Sequence, residues 1–192
     1  VTESQIRRVI QSMVSENTSI RGYMFDWDDN ILFMPTKIRM EKKDGEKWIP
    51  VDVSTEEFRE VRTNPDYRLI NNDPEEAFFN FRDDDVYMAD VKRALASGSY
   101  GPSYDKFLEA IKYINPFSII TARGHSPAAL RAGTEELLYH ALSAAELKNL
   151  ASDIREKMGL ESEGYEDNEV IDYYLDTQKY NPVSSDEFLE IM

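Results

Sequence analysis

The chain has 192 residues, of which 41% are hydrophobic, and a formal net charge of −15. This hydrophobic content supports a packed core and excludes a wholly disordered chain, while the negative charge disfavours nucleic acid as a partner, because phosphate backbones are bound through Lys and Arg. The absence of cysteine excludes disulfides, thiolate metal sites and thiol catalysis.

No stretch has the length and apolarity of a membrane-spanning helix, and the first residues lack the order of a signal peptide. We therefore expect a cytoplasmic protein with no membrane partner. A small phosphorylated ligand is compatible with the acidic composition, because a bound divalent cation reverses the potential locally.

The first predicted elements are a helix and a strand. Apolar residues within positions 6–14 recur at three- and four-residue spacing, which is typical of an amphipathic helix. Residues 20–25 are rich in strand-forming types and lead into a polar segment that holds Asp26, Asp28 and Asn30. The pattern indicates a strand that ends in an acidic loop.

Residues 37–53 predict a β-hairpin, because polar and apolar positions alternate on either side of a turn at Asp44. Pro50 cannot donate to a central ladder, so it places the returning strand at a sheet edge. Ser54 and Glu57 have the spacing of a capping box and predict the start of a helix.

The segment from residue 63 to residue 90 has no clear periodicity and receives no assignment. Within it, we interpret residues 83–85, which are all aspartate, as a solvated acidic turn. We interpret the aromatic residues Phe78, Phe79 and Phe81 as parts of the core.

A second strand is predicted at residues 117–120, after a helix that begins near Pro102. Ser126 as a cap and Pro127 at the first helical position predict that another helix follows. Strand, polar loop and helix form the repeating unit of an α/β fold. The remaining predicted elements are helices at residues 144–158 and 169–175, a short strand near residue 181, and a terminal turn at residues 186–192.

Oxygen-bearing side chains occur at alternate positions of the loop, at Asp26, Asp28 and Asn30. This arrangement suits a hard cation, and two interpretations of the loop compete. A calcium-binding helix–loop–helix segment requires glycine where Ile31 stands and glutamate where Lys37 stands. The other interpretation places the loop at the carboxyl end of a strand, where open α/β sheets bind ligands. We favour the second, because the preceding segment is strand-like.

Two segments resemble motifs of the haloacid dehalogenase superfamily. Tyr23-Met24-Phe25-Asp26-Trp27-Asp28-Asp29-Asn30 resembles the first motif, with Asp29 at a position where glycine is usual. Phe117-Ser118-Ile119-Ile120-Thr121-Ala122-Arg123-Gly124 resembles the second motif, an apolar strand that ends in Thr or Ser. The two occur in the expected order, each at the end of a predicted strand.

The resemblance implies an α/β fold with a Rossmann-like parallel sheet. Residues 1–30 and 116–192 would form the haloacid dehalogenase-like core, and residues 31–115 an inserted β-hairpin and helical cap. The family's later lysine and aspartates have no match in residues 125–192. Lys148 and Lys157 lie on a helical pattern and Lys179 lies in a polar stretch. Asp172 and Asp176 have a plausible spacing but do not follow a buried strand. Three explanations for these missing residues are open: a truncated chain, a disordered or absent segment, or a natural derivative with an incomplete site. We favour truncation, and an open sheet edge would then favour a homo-oligomer.

For function, the resemblance implies Mg²⁺-dependent hydrolysis of a small phosphate monoester through an aspartyl phosphate. Asp26 would be the nucleophile, Asp28 the general acid and base, and Thr121 a donor to the phosphoryl oxygens, with Mg²⁺ held by Asp26 and Asp28. The predicted substrate-binding residues are Asn30, Ala122, Arg123 and Gly124, with backbone N–H groups of residues 122–125 among the donors. For Arg123 and His125, substrate contact and a solvent-facing position are both open. The alternative function is a non-catalytic acidic α/β interaction module.

Overall fold

The computed structural model describes residues 22–182, which fold into two β-sheets and a set of helices. The strands are β1 (Tyr23–Asp26), β2 (Ile38–Asp44), β3 (Lys47–Val53), β4 (Tyr67–Leu69), β5 (Phe117–Thr121) and β6 (Lys179–Pro182). The helices are α1 (Thr55–Val61), α2 (Pro74–Ala77), α3 (Asp84–Ala96), α4 (Tyr104–Lys112), α5 (Pro127–Ala141), α6 (Ala144–Met158) and α7 (Asp167–Asp176), with 3₁₀ turns at Ile70–Asn72 and Phe79–Phe81. Within the described residues, no helix has the length and apolarity needed to cross a membrane. The helix predicted at residues 6–14 and the turn predicted at residues 186–192 lie outside this range.

One sheet is parallel and has the strand order β1-β5-β6. Phe25 lies beside Ile119 and Ile119 lies beside Tyr180, so β5 is the central strand. Parallel neighbours need long crossover connections. Helices α3 and α4 lie in the first connection, and α5, α6 and α7 lie in the second. The predicted parallel α/β sheet is therefore confirmed, and the short strand predicted near residue 181 is β6.

The second sheet is antiparallel and has the order β3-β2-β4. Ile38 pairs with Val53 across the predicted hairpin, which is confirmed. Pro50 lies on β3, an edge strand of this sheet, as predicted. Residues 63–90, which the pattern left unassigned, contain β4, α2 and the start of α3.

Side-chain caps define the starts of several helices. Ser54 Oγ accepts from the Glu57 backbone at 3.1 Å, and Glu57 Oε2 accepts from the Ser54 backbone at 2.7 Å. Ser126 Oγ accepts from the Ala129 backbone at 3.0 Å at the start of α5, with Pro127 in the first turn. Both predicted caps are confirmed, because each satisfies backbone N–H groups that the helix itself leaves free.

The acidic run at residues 83–85 is not the solvated turn that we predicted. Asp83 Oδ1 accepts from the Val86 backbone at 2.9 Å and caps α3. Asp84 accepts from the backbone and the hydroxyl of Ser126 at 3.0 and 2.6 Å. Carboxylates are favourable at a helix N-terminus because they compensate free N–H groups and the helix dipole. The run is therefore a helix start that also contacts the start of α5.

The helices pack against one face of the parallel sheet. Phe25, Phe117 and Ile119 point into the core that the helices complete. On the opposite face, Met24 is 75% exposed and Ile120 is 44% exposed. Because side chains alternate along a strand, this difference shows that within residues 22–182 only one face is covered.

A separate hydrophobic cluster belongs to the antiparallel sheet and the segments around it. Its buried members are Ile38, Met40, Val53, Phe58, Ile70, Ala77, Phe78 and Phe81. Phe78 and Phe81 are therefore core residues as predicted, but the same prediction is wrong for Phe79, which is 50% exposed. Residues three apart share a face of a 3₁₀ turn, so Phe78 and Phe81 are buried together while Phe79 points outwards.

Candidate functional site

The acidic loop and Thr121 meet at one edge of the parallel sheet. Asp26 is the last residue of β1 and Thr121 is the last residue of β5, with Asp26 beside Ile120 in the register. Thr121 Oγ1 donates to Asp28 Oδ2 at 3.2 Å. This is the carboxyl edge of the sheet, where open α/β folds bind ligands. The structure therefore brings Asp28 and Thr121 into contact, with Asp26 at the end of the neighbouring strand, two residues before Asp28.

Buried side chains anchor the loop that carries the acidic residues. Trp27 and Ile31 are fully buried, and the Trp27 carbonyl accepts from Ile31 N at 3.1 Å and from Leu32 N at 3.2 Å. Asp29 has a φ of 55°, a left-handed conformation that Asp tolerates better than most side chains. This tolerance explains how Asp29 stands where the resembled motif usually has glycine. The calcium alternative is wrong, because a strand precedes the loop and Ile31 is part of the core.

A neighbouring loop supports the acidic loop through backbone contacts. Gly101 N donates to Ile31 O at 2.9 Å, and Ser103 N donates to Asn30 O at 2.8 Å. A Cβ on Gly101 would lie 2.3 Å from Asn30 O, a distance that no side chain permits. Gly101 is therefore required at this position. Sequence reasoning missed it, because a glycine before a predicted helix also fits an ordinary loop.

Arg123 brings a positive charge into the site. Its Nε lies 2.7 Å from Oδ1 and 2.6 Å from Oδ2 of Asp28, and its Nη2 lies 2.6 Å from Oδ1. Its guanidinium carbon lies 4.7 Å from the centre of the Phe81 ring, and its side chain is only 2% exposed. Burial disfavours the charged guanidinium, but the Asp28 carboxylate outweighs this effect, so the pKa of Arg123 is raised. The solvent-facing alternative for Arg123 is therefore wrong.

The predicted substrate-binding residues differ in what they offer to a ligand. Gly124 N donates to Phe81 O at 3.1 Å, and Arg123 N donates to Thr121 Oγ1 at 3.2 Å, so both N–H groups already have partners. Ala122 is exposed beside them. Asn30 is partly exposed, and its carbonyl is bound by Ser103. The predicted cradle of backbone N–H groups at residues 122–125 is therefore not free at Arg123 and Gly124.

The surroundings of Asp26 favour a cation. Partial burial, and then the carboxylates of Asp28 and Asp29, raise the pKa of Asp26. A divalent cation relieves such repulsion between neighbouring carboxylates. In proteins, Mg²⁺ commonly takes one or two carboxylates and completes its shell with phosphate and water oxygens. Asp26 therefore fits the predicted ion. The carboxylate of Asp28 is engaged by Arg123. Asp28 would therefore coordinate the ion through its backbone carbonyl oxygen.

Among residues 22–182, no group of three or more His, Cys, Asp or Glu residues is arranged to hold a metal ion. Asp172 and Asp176 contact Arg131 at 2.8 and 2.9 Å and join α7 to α5. Lys157 donates to Tyr113 O at 2.8 Å at the end of α6. These contacts engage Asp172, Asp176 and Lys157 elsewhere in the fold.

His125 and Asp84 extend the site inwards from Arg123. His125 Nε2 lies 3.5 Å from Arg123 Nη1, and His125 Nδ1 lies 3.6 Å from Asp84 Oδ1. The His125 ring also packs on Tyr87, with 4.7 Å between the ring centres. Burial, followed by the Arg123 charge, lowers the pKa of His125 to about 4. His125 is therefore buried rather than solvent-facing, and Asp84 is a contributor that sequence reasoning missed.

Comparison with known proteins identifies no relative of this chain. No protein-family profile matches it, and no curated protein and no solved structure matches it either. Any inference about function therefore rests on the geometry of the site and on the two sequence motifs.

Proposed function

We propose that the chain is a Mg²⁺-dependent phosphate monoester hydrolase of the haloacid dehalogenase type. The observation that supports this most is the contact between Thr121 Oγ1 and Asp28 Oδ2, 3.2 Å apart, at the carboxyl edge of two adjacent parallel strands. Asp26 ends one of these strands and lies two residues before Asp28, whose charge acts on its carboxyl group. The substrate class is a small phosphorylated molecule.

In the proposed first step, a carboxylate oxygen of Asp26 attacks phosphorus and the bond from phosphorus to the ester oxygen breaks. Asp28 gives its proton to the departing alcohol. In the second step, water attacks the phosphorus of the aspartyl phosphate, the bond to Asp26 breaks, and Asp28 takes the proton of the water. Thr121 donates a hydrogen bond to the phosphoryl oxygens in both steps.

Arg123 determines when Asp28 is available for this chemistry. A carboxylate that accepts from both Nε and Nη2 of a guanidinium cannot act as a proton donor at the same time. A substrate phosphate competes with Asp28 for the guanidinium, because phosphate and carboxylate oxygens bind the same planar fork of donors. We therefore propose that substrate draws Arg123 towards the phosphate and frees Asp28, which takes up a proton from solvent before it protonates the leaving alcohol.

Mg²⁺ would be held by the Asp26 carboxylate and the Asp28 backbone carbonyl. When bound, it would neutralise charge on the phosphoryl oxygens and reduce their repulsion of the Asp26 nucleophile. Burial, and then the carboxylates of Asp28 and Asp29, raise the pKa of Asp26, and these neighbouring carboxylates support the assignment.

The segment between the two motifs is proposed to be a cap over the site. Residues 38–81 have their own hydrophobic cluster. Phe81, from that cluster, packs against the guanidinium of Arg123 and accepts from Gly124 N at 3.1 Å. A cap that touches the phosphate-binding residue is well placed to exclude water and to select substrates.

A non-catalytic acidic α/β module is the second candidate. It is favoured by the pairing of Asp28 with Arg123, and because, within the described residues, no group of three or more His, Cys, Asp or Glu side chains is arranged to hold a metal ion. In this alternative, Arg123 is a permanent structural partner of Asp28.

Hydrolysis of p-nitrophenyl phosphate, with and without Mg²⁺, separates the two candidates. The wild-type chain is compared with Asp26→Asn and with Asp29→Asn, which removes the same charge three residues further along the loop. We expect Mg²⁺-dependent turnover that falls about 1000-fold or more in Asp26→Asn and largely persists in Asp29→Asn. No Mg²⁺-dependent turnover in the wild-type chain would favour the non-catalytic module.

A further inference from the structure

We propose that His125 is a positioning residue that aims the guanidinium of Arg123 at Asp28, with Asp84 fixing the orientation of the imidazole. The catalytic consequence of this role rests on the proposed phosphatase function. The positioning itself is a property of the folded chain and is testable without turnover.

The guanidinium of Arg123 is divided between two partners. Its Nε and Nη2 face Asp28 at 2.6–2.7 Å, and its Nη1 faces His125 Nε2 at 3.5 Å. The guanidinium is planar and rigid, so a contact on Nη1 also constrains the direction of the other two nitrogens. Arg123 and His125 are each only 2% exposed, and bulk water is therefore a poor substitute for either contact.

The donor properties of the two groups determine where the imidazole carries its proton. A guanidinium has donors only, so His125 Nε2 must accept and its proton must reside on Nδ1. Nδ1 is the nitrogen that faces Asp84 Oδ1 at 3.6 Å. Asp84 is itself held by two hydrogen bonds from Ser126. The Asp84 carboxylate is therefore held in place, and its negative charge favours the tautomer and the ring orientation that direct the Nδ1 proton towards it.

Aromatic rings restrict the movement of the His125 ring and of the Arg123 guanidinium. Tyr87 packs on the His125 ring and Phe81 packs on the Arg123 guanidinium, each with a separation of 4.7 Å. Within residues 22–182, His125 Nδ1 has no hydrogen bond of normal length, which is unusual for a buried polar atom. For a histidine that orients Arg123, the essential contact is the one at Nε2.

A matched pair of amides tests the proposal. In His125→Gln, the side-chain oxygen can take the place of Nε2 and accept from Arg123. In His125→Asn, the shorter amide matches the Nδ1 position next to Asp84 but does not reach Arg123. The readout is the Arg123 Nε–Hε signal in ¹H–¹⁵N NMR spectra at neutral pH, assigned by its loss in Arg123→Lys. Thermal unfolding of both variants monitors general structural damage.

We expect a resolved, exchange-protected Arg123 signal in the wild-type chain and in His125→Gln, and rapid exchange of this signal in His125→Asn. In the hydrolysis assay, kcat/KM should fall about 10-fold or more in His125→Asn, mainly through KM, because Arg123 is no longer held where a substrate phosphate can take it from Asp28; His125→Gln should recover most of the loss. Equal protection of the Arg123 signal in the two variants, whether kept or lost in both, overturns the positioning role. The predicted NMR difference in a chain without turnover supports the positioning role and rejects the phosphatase function.

Discussion

Asp28 accepts from the guanidinium of Arg123 through both carboxylate oxygens, although the two residues are 95 positions apart in the chain. The contact joins the loop after β1 to the loop after β5. Because Arg123 is buried, its charge requires an anionic partner, which in the folded chain is Asp28.

Asp28→Asn should destabilise the fold strongly. The substitution leaves the buried guanidinium of Arg123 without a carboxylate, and the loss of one partner of a buried pair costs about 3 kcal/mol. Urea unfolding of the variant measures this change in the free energy of unfolding. Asp29→Asn is the matched control, because Asn also tolerates the left-handed backbone at this position. Similar small losses in both variants would show that the ion pair contributes little.

Gly133→Ala should destabilise the packing of α5 against α3. A Cβ at position 133 would lie 2.6 Å from the hydroxyl oxygen of Tyr87 and 2.9 Å from Cε1 of its ring. Such overpacking typically costs about 1–3 kcal/mol. A lowered unfolding midpoint in urea, relative to the wild-type chain, is the expected result.

Tyr87→Phe tests the same contact from the other side. The Tyr87 hydroxyl is buried and has no hydrogen-bond partner within the described residues, so its removal should be neutral or stabilising. The double variant with Gly133→Ala should be less destabilised than the sum of the two single variants. Strict additivity in this double-mutant cycle would contradict the predicted clash.

Two helix caps should differ in their contribution to stability. Ser143→Ala removes an exposed capping box at α6 and should cost about 1 kcal/mol. Ser126→Ala removes the cap of α5 and also the 2.6 Å hydrogen bond to Asp84. The second loss should exceed the first, because Asp84 keeps only the backbone N–H of Ser126 as a close donor. Equal losses in thermal unfolding would argue against the Asp84 contact.

The buried His125 should make stability fall as the pH is lowered. Burial and then the Arg123 charge lower the pKa of His125 from 6.5 to about 4 in the folded chain. Below pH 6.5 the unfolded chain therefore binds a proton that the folded chain excludes, so this contribution to stability is complete above pH 6.5 and is lost towards pH 4. The full loss corresponds to about 3 kcal/mol. The raised pKa values of Asp26 and Asp29 act in the opposite direction, in the range above their usual value of 3.8.

Urea unfolding at a series of pH values through this window measures the effect. His125→Gln is the comparison, because it retains every other titratable group. The wild-type chain should lose more stability than the variant as the pH falls. Parallel pH profiles would assign the loss to other groups.

The strands and helices with strong local signals could be predicted from the sequence. The hairpin at residues 37–53, the capping box at Ser54 and the cap at Ser126 are determined by residues close together in the chain. The short apolar run at residues 117–120 similarly identifies β5. These features depend on local backbone preferences, which can be recognised from the sequence pattern alone.

The features that local patterns missed depend on contacts between distant residues. The burial of Arg123 requires Asp28 from the loop after β1, and the role of Asp84 requires the start of α5. The need for glycine at Gly101 arises only when the carbonyl of Asn30 is placed against it. An acidic run or a loop glycine has the same local signature in a solvated turn, so the prediction of a solvated turn at residues 83–85 was wrong.

The most direct measurement is a search for phosphate on Asp26 during turnover. The chain is mixed with p-nitrophenyl phosphate and Mg²⁺, quenched in acid within the first turnover, digested, and analysed by mass spectrometry. We predict a peptide containing Asp26 that carries the mass of one phosphoryl group and is absent without Mg²⁺ and in Asp26→Asn. Hydrolysis that continues in Asp26→Asn, with no phosphorylated Asp26 in the wild-type chain, would contradict the assignment of Asp26 as the nucleophile.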